Sequence, residues 1–240
     1  MQQQVCRPAG PAGPGAPQCP GPALAADHAP VTGRRLAGHT GPGAAPRRGH
    51  AAPRWEVAEV VADGRTATIR ATDTALGLEL EQVFALDDHG VLRVRASLAN
   101  RSERPDPVDV AALRLVLPLP ARAGEVLDLT GRWCRERAPQ RSLLQEGTHL
   151  RVGRRGRTGH DATLLLSTGT PGFGFRSGEV WTCHVAWSGD HEHMAERLPE
   201  GAGRHSAVLA GGEVLAPGEI RLGPGERYST PDVVFTYAGD

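Results

Sequence analysis

A chain of 240 residues with 27 basic and 27 acidic side chains and no net charge has no field with which to gather nucleic acid or an anionic membrane. Hydrophobic residues at 39% and aromatics at 4% fall below the usual globular share, and no run approaches the ~18 apolar residues of a membrane span. The length suits one large domain or two small ones. The basic residues are all arginine. With the excess of Ala, Gly and Pro this reads as a coding-composition bias, because a phosphate-reading arginine patch concentrates on one element. Cys6, Cys19, Cys134 and Cys183 form no C-x-x-C and have no nearby paired histidines, so they make no zinc pattern. A disulfide framework is not expected in a domain of this size.

Residues 1–53 hold 10 of the 20 prolines and no Phe, Trp, Tyr or Ile. Such a stretch cannot offset an ordering entropy of about 1–2 kcal/mol per residue. It has no strict Gly-X-Y period, so the expectation is a disordered low-complexity head. An upstream or shifted reading frame is the alternative source of the same composition. Ala23-Leu24-Ala25 resembles a cleavage site, but no apolar run of ~7–15 residues precedes it. A soluble, cytoplasmic protein is expected.

From Trp55 the chain alternates β-like runs with turn signals. Trp55–Ala62 leads into the hairpin dipeptide Asp63-Gly64. Residues 66–71 follow, and then Leu76, Leu78 and Leu80 alternate with Gly77, Glu79 and Glu81, the period of a half-buried strand. After Asp87-Asp88-His89-Gly90, the residues Leu92, Val94, Ala96 and Leu98 share one face. Val108–Leu119 is a more continuous apolar run, closed by Pro118 and Pro120. Further strands are predicted over 162–167, 173–176, 179–188, 206–209, 213–215, 219–222 and 232–237. Gly211-Gly212, Pro217-Gly218 and Pro224-Gly225 punctuate them. Helix is nearly absent, with one turn expected at Glu192–Leu198. Short strands at regular spacing predict an all-β antiparallel sandwich over 54–240.

No carboxylate pair stands out by spacing as the two groups of a glycosidase; Asp63, Asp87, Asp88, Glu79 and Glu81 read as solvated turn or strand-face residues. His184, His191 and His193 fall within ten residues of one another, yet two ligands on a strand do not make a site, and no metal is expected. Trp181 and Trp187 lie on one predicted strand with even separation, so they share a face. Core packing is the better reading, with sugar stacking as the alternative. Arg151–Arg157 is a bent, glycine-broken basic segment, a charged loop or a phosphate contact.

Several ordered blocks together resemble one family. Gly131-Arg132-Trp133 with Arg135-Glu136 and Arg141 is the first, and Gly153–Asp161 the second. Gly178-Glu179-Val180-Trp181 with His184 and Trp187-Ser188-Gly189 is the third. Leu215–Glu219 and Leu222–Pro231 complete the set. Their order and spacing resemble the N-terminal domain of bacterial glycoside hydrolase family 36 α-galactosidases, over roughly 54–240. The resemblance implies a β-supersandwich ahead of a (β/α)8 barrel that carries both catalytic aspartates. It also implies hydrolysis of terminal α-galactosides such as melibiose and raffinose with retention, no cofactor, and a homo-oligomeric full-length enzyme.

The family's first strands are replaced here by the Pro-rich head. Asp190 stands where the family usually has Asn, and Thr182-Cys183 where Gly and an aliphatic residue are usual. The resemblance implies no catalytic residue in this chain. It implies a scaffold whose loops reach the rim of the sugar pocket, with Arg155, His160, Asp161, Trp187, Asp190 and His191 as the rim candidates. A stand-alone carbohydrate-binding module and a non-functional truncated remnant are the rival readings.

Overall fold

The computed structural model describes residues 53–160, 164–199 and 206–239. The predicted head lies outside them apart from Pro53. The described residues form sixteen strands and no helix, and every strand pair is antiparallel. The all-β expectation therefore holds.

Strands β1 (Glu56–Asp63), β2 (Thr66–Asp73), β3 (Leu78–Leu86) and β4 (Leu92–Asn100) make a meander. The β1–β2 and β3–β4 turns are those marked in the sequence, whereas Leu76 and Gly77, expected in a strand, lie in the β2–β3 turn. Gly64 sits at φ 57° and Gly90 at φ 80°, where a side chain is strained. Asp87 Oδ1 accepts from His89 N at 2.8 Å and Val91 N at 2.9 Å, closing the second turn. Short β5 (Val108–Val110) and β6 (Leu115–Leu119) follow, then β7 (Glu125–Arg132), β8 (Arg135–Leu143) and β9 (Gly147–Gly153). The rest of the chain gives β10 (Leu166–Gly169), β11 (Val180–Val185), β12 (His191–Arg197), β13 (Ala207–Glu213), β14 (Ile220–Leu222), β15 (Arg227–Ser229) and β16 (Val233–Ala238).

The large sheet runs β1-β2-β3-β4-β16-β11-β10-β7-β8, with β15 also on β4. A second sheet, β6-β13-β12-β9, packs against it, and β14 pairs with β5. The core fills the space between the sheets: Leu80, Leu98, Leu115, Val126, Leu166, Val185, Leu209 and Val233 are fully buried. Burial of each such side chain contributes about 1.5–3 kcal/mol.

Two features set the distance between the sheets. Gly211 on β13 faces β11 and β16 so closely that a Cβ there would lie 2.9 Å from both Cys183 Sγ and Val185 Cγ2. Asp128 on β7 is buried and accepts from Gln140 Nε2 on β8 and His149 Nε2 on β9, each at 3.2 Å. Arg151 Nε on β9 lies 3.2 Å from the same carboxylate. The carboxylate thus ties the large sheet to the small one with charge-assisted contacts.

Several sequence expectations change. Glu192–Leu198 holds no helical turn; β12 runs through it, because it is flanked on both sides by β13 and β9. Gly211-Gly212 does not punctuate but lies inside β13, where the close sheet approach needs the missing side chain. The run 108–119 divides into β5 and β6, which pair in different sheets. The predicted strand at 173–176 is a turn with one bridge, Gly174 to Ser177. Strands β7, β8 and β9 carry no strong apolar alternation, and β8 is exposed along nearly its whole length. As the outer strand of the large sheet it has no second layer above it, so its residues need not alternate.

The registers place the connections at two ends. At one end lie the β7–β8 turn and the β9–β10 and β11–β12 loops. At the other lie the β3–β4 turn, the β10–β11 turn and the end of β16.

Replacing Gly211 with Ala should lower stability by about 1–3 kcal/mol through overpacking. Urea unfolding of the wild-type and Gly211→Ala chains checks this; an unchanged midpoint would mean the sheets can move apart at no cost.

Candidate functional site at the loop end

Three connections meet at the first of these ends. The β7–β8 hairpin reverses at Trp133 and Cys134, with Cys134 at φ 62° and Arg137 at φ 56°. Left-handed backbone at two non-glycine residues is uncommon and marks a tightly specified turn. Glu136 Oε1 holds it, accepting from Cys134 N at 3.0 Å. Gly131 leaves space for the neighbouring backbone: a Cβ there would be 2.9 Å from Glu136 Cα and 3.0 Å from the His160 carbonyl oxygen. The hairpin therefore presses against the β9–β10 loop. Trp133 is 74% exposed, and its ring meets His160 edge-on at 6.2 Å. His160 Nδ1 lies 3.9 Å from Glu136 Oε1.

The β9–β10 and β11–β12 loops are joined by a second contact. Gly156 N donates to Asp190 Oδ1 at 2.6 Å, and Val214 N donates to the Asp190 carbonyl at 3.0 Å. Arg155, next to Gly156, is exposed. Trp187 lies beyond the end of β11, so it does not share a strand face with Trp181; it is 44% exposed. Its indole folds over Gly189, where a Cβ would come within 3.0 Å of Trp187 Cε2. Trp181 instead packs against the core. The expectation of a core role holds for one tryptophan only.

The six rim candidates thus divide. Arg155, His160, Trp187 and Asp190 occupy two joined loops, and His160 also meets Trp133 of the β7–β8 hairpin. Asp161 lies outside the described residues. His191 is not a surface residue. It is buried, its Nδ1 donates to the Gly189 carbonyl at 2.9 Å, and its ring meets His193 edge-on at 5.4 Å. Its role is to fix the base of the β11–β12 loop. Trp133 and Glu136 belong to the same surface but were not singled out as rim residues. A tryptophan in an otherwise polar stretch was the available signal.

Beneath the loops, His193 is also buried, and among the described residues its Nε2 has no hydrogen-bond partner. Burial first, then the neighbouring His191 and His184, push its pKa down to about 3. The imidazole stays neutral because burial disfavours its charged form and the two neighbouring imidazoles add to that. Among the described residues no group of three or more His, Cys, Asp or Glu is placed to hold a metal ion.

Residues 23–223 match the glycosyl hydrolase family 36 N-terminal domain. The chain belongs to that family. It is 33% identical over 190 residues to an α-galactosidase of Escherichia coli, a match covering 79% of this chain and 26% of that protein. The family's fold is also recognisable in space. An α-galactosidase structure from Lactobacillus brevis superposes with a TM-score of 0.65 at 17% identity, covering 87% of this chain and 29% of that one. The GH36 α-galactosidase AgaA of Geobacillus stearothermophilus gives a TM-score of 0.62 at 24% identity, covering 73% and 24%. This family 36 chain spans about a quarter of the length of the curated relatives it matches.

Two measurements probe the site. Hydrogen exchange at the Gly156 amide should speed up about tenfold in Asp190→Ala, the loss of one hydrogen bond to a charged group. It should change little in Asp190→Asn, whose amide oxygen can still accept. His193 is neutral in the folded state down to about pH 3, whereas in the unfolded chain it takes up a proton near pH 6.5. The unfolded state therefore binds the extra proton, and stability falls as pH drops from about 6.5 toward 3, by up to about 1.4 kcal/mol per pH unit. Urea midpoints across that window should fall less steeply in His193→Leu; parallel curves would refute the assignment.

Proposed function

We propose that this chain is the non-catalytic N-terminal domain of a retaining α-galactosidase acting on terminal α-galactosyl groups of the melibiose and raffinose type. The family match over most of the chain, set against relatives about four times as long, carries the reading. In it the sandwich packs on a (β/α)8 barrel that holds both catalytic carboxylates and contributes to oligomer contacts. The loops bearing Arg155, His160, Trp187 and Asp190 form part of the rim of a sugar pocket.

The chemistry of the loop end supports a supporting role. A retaining glycosidase needs two carboxyl groups about 5–5.5 Å apart, one of them free to attack. Here Glu136 is held by the Cys134 amide and Asp190 by the Gly156 amide, while Glu192 is paired with Arg114. Each of these groups holds the local structure together.

The exposure of Trp133 favours one second reading, a stand-alone carbohydrate-binding surface, because an exposed ring can stack on the apolar face of a sugar. The two readings separate in one set of assays on the purified 240-residue chain. We expect no turnover of an aryl α-galactoside and no heat of binding with millimolar raffinose. Turnover would sink the non-catalytic assignment. Saturable raffinose binding that Trp133→Ala abolishes would replace the scaffold with a binding module.

A further inference from the structure

The arginines of the loop end stand apart from those of the strands. The β7–β8 hairpin carries Arg132, Arg135 and Arg137, and the β9–β10 loop carries Arg154, Arg155 and Arg157; all six are exposed. Six of the chain's 27 basic residues thus fall within residues 131–137 and 153–160, well above an even spread. A general composition bias does not produce such a concentration. Folding then brings the two segments together: a Cβ on Gly131 would lie 3.0 Å from the His160 carbonyl oxygen.

Elsewhere arginines are neutralised. Arg65, Arg70, Arg95 and Arg122 each stand in an ion pair. Among the described residues no ion pair reaches Arg132, Arg135, Arg137, Arg154 or Arg157. The carboxylates beside them, Glu136 and Asp190, are engaged by the Cys134 and Gly156 amides, and their two charges leave an excess of positive charge. Like charges gathered on one surface repel and cost stability. Arg137 is also held at φ 56°, a left-handed backbone that costs a non-glycine residue free energy. A positive surface kept at that cost, in a chain of zero net charge, suits an anion that arrives from outside.

The residues among the arginines select the ligand. A guanidinium fork pairs with two oxygens of a sulfate or carboxylate group. Trp133 stands in the same hairpin, 74% exposed, and its ring suits the apolar face of a sugar. A single-stranded nucleic acid instead needs a succession of aromatic platforms along a groove. Here Trp187 is folded over Gly189, so Trp133 is the ring presented beside the arginines. We propose that the loop end binds carbohydrate bearing an oxyanion, a sulfated or uronate galactoside. Trp133 stacks on the sugar, and Arg135, Arg137, Arg154 and Arg157 supply the forks for its acidic group. The inference rests on the rim reading above and gives that rim a substrate class: α-galactosides that carry an acidic group beyond the terminal galactose.

The test titrates the purified 240-residue chain by calorimetry. The probes are a sulfated galactan oligosaccharide, the same oligosaccharide after desulfation, a galacturonate oligosaccharide, sodium sulfate and a single-stranded oligothymidylate. The expected result is saturable binding of the sulfated or the galacturonate oligosaccharide, at least tenfold tighter than that of the desulfated form; whichever binds names the anion. Raised salt should weaken it. Arg135→Ala combined with Arg154→Ala should weaken it at least tenfold, as should Trp133→Ala alone, with urea midpoints unchanged. Arg65→Ala, on the β1–β2 turn, should leave it as it is. Equal affinity for the sulfated and desulfated forms, or no binding of either acidic oligosaccharide, overturns the inference and leaves the scaffold reading intact, since that reading falls on turnover by the chain alone. Sodium sulfate that binds as tightly as the oligosaccharide, with no effect of Trp133→Ala, reduces the surface to a general anion site and overturns the sugar assignment. Tighter binding of the oligothymidylate makes the occupant nucleic acid and overturns it as well.

Discussion

Strand β16 hydrogen-bonds to β4 along one edge and to β11 along the other. It is close to last in sequence and central in space. Without it the large sheet would separate into a meander, β1–β4, and a second piece, β11-β10-β7-β8. Only the second piece would still face the small sheet across Gly211. The core residues Val233 and Phe235 would leave with it. Both ends of the sandwich therefore depend on the pairing of six residues with two strands far earlier in the chain.

Four ion pairs join segments distant in sequence: Arg95 to Asp232, Arg122 to Glu179, Arg114 to Glu192 and Arg221 to Asp109. The Arg114–Glu192 pair is largely buried; the exposed pairs contribute little each, and their value lies in fixing register. Arg95 and Asp232 meet just where β16 enters against β4. Asp128 does the same for the two sheets at the far side, with the difference that its carboxylate is buried and would be costly to leave alone.

The fold class and the first and last turns of the meander were legible because period-2 alternation and Gly in left-handed turns are local properties. What was not legible depended on neighbours distant in sequence. Gly211 and Gly212 look like a break until Cys183 and Val185 are known to lie opposite the first and Leu113 and Arg114 opposite the second. His191 and Trp187 look like one surface cluster, yet the end of β11 and the entry to β12 send one ring out and the other in. Of the site, the blocks around Gly131, Gly153 and Trp187 were legible as a set. The contacts joining them, Gly156 to Asp190 and Trp133 to His160, needed the folded chain. The exposed strand β8 carries almost no pattern, since an edge strand without a covering layer is under little pressure to show one.

Translation adds an order in time to this arrangement. The β1–β4 meander leaves the ribosome about 130 residues before the strand that completes its edge. At about 5–20 residues per second, β4 waits on the order of ten seconds for its partner. Throughout that interval its unpaired amides and carbonyls are a template for any extended chain nearby. Arg93 and Arg95 are exposed on one face of this edge strand, two like charges that repel another copy of the same strand and act as gatekeepers. Arg95 is then neutralised by Asp232 as β16 arrives, so the guard against aggregation in the nascent chain becomes a contact in the finished one.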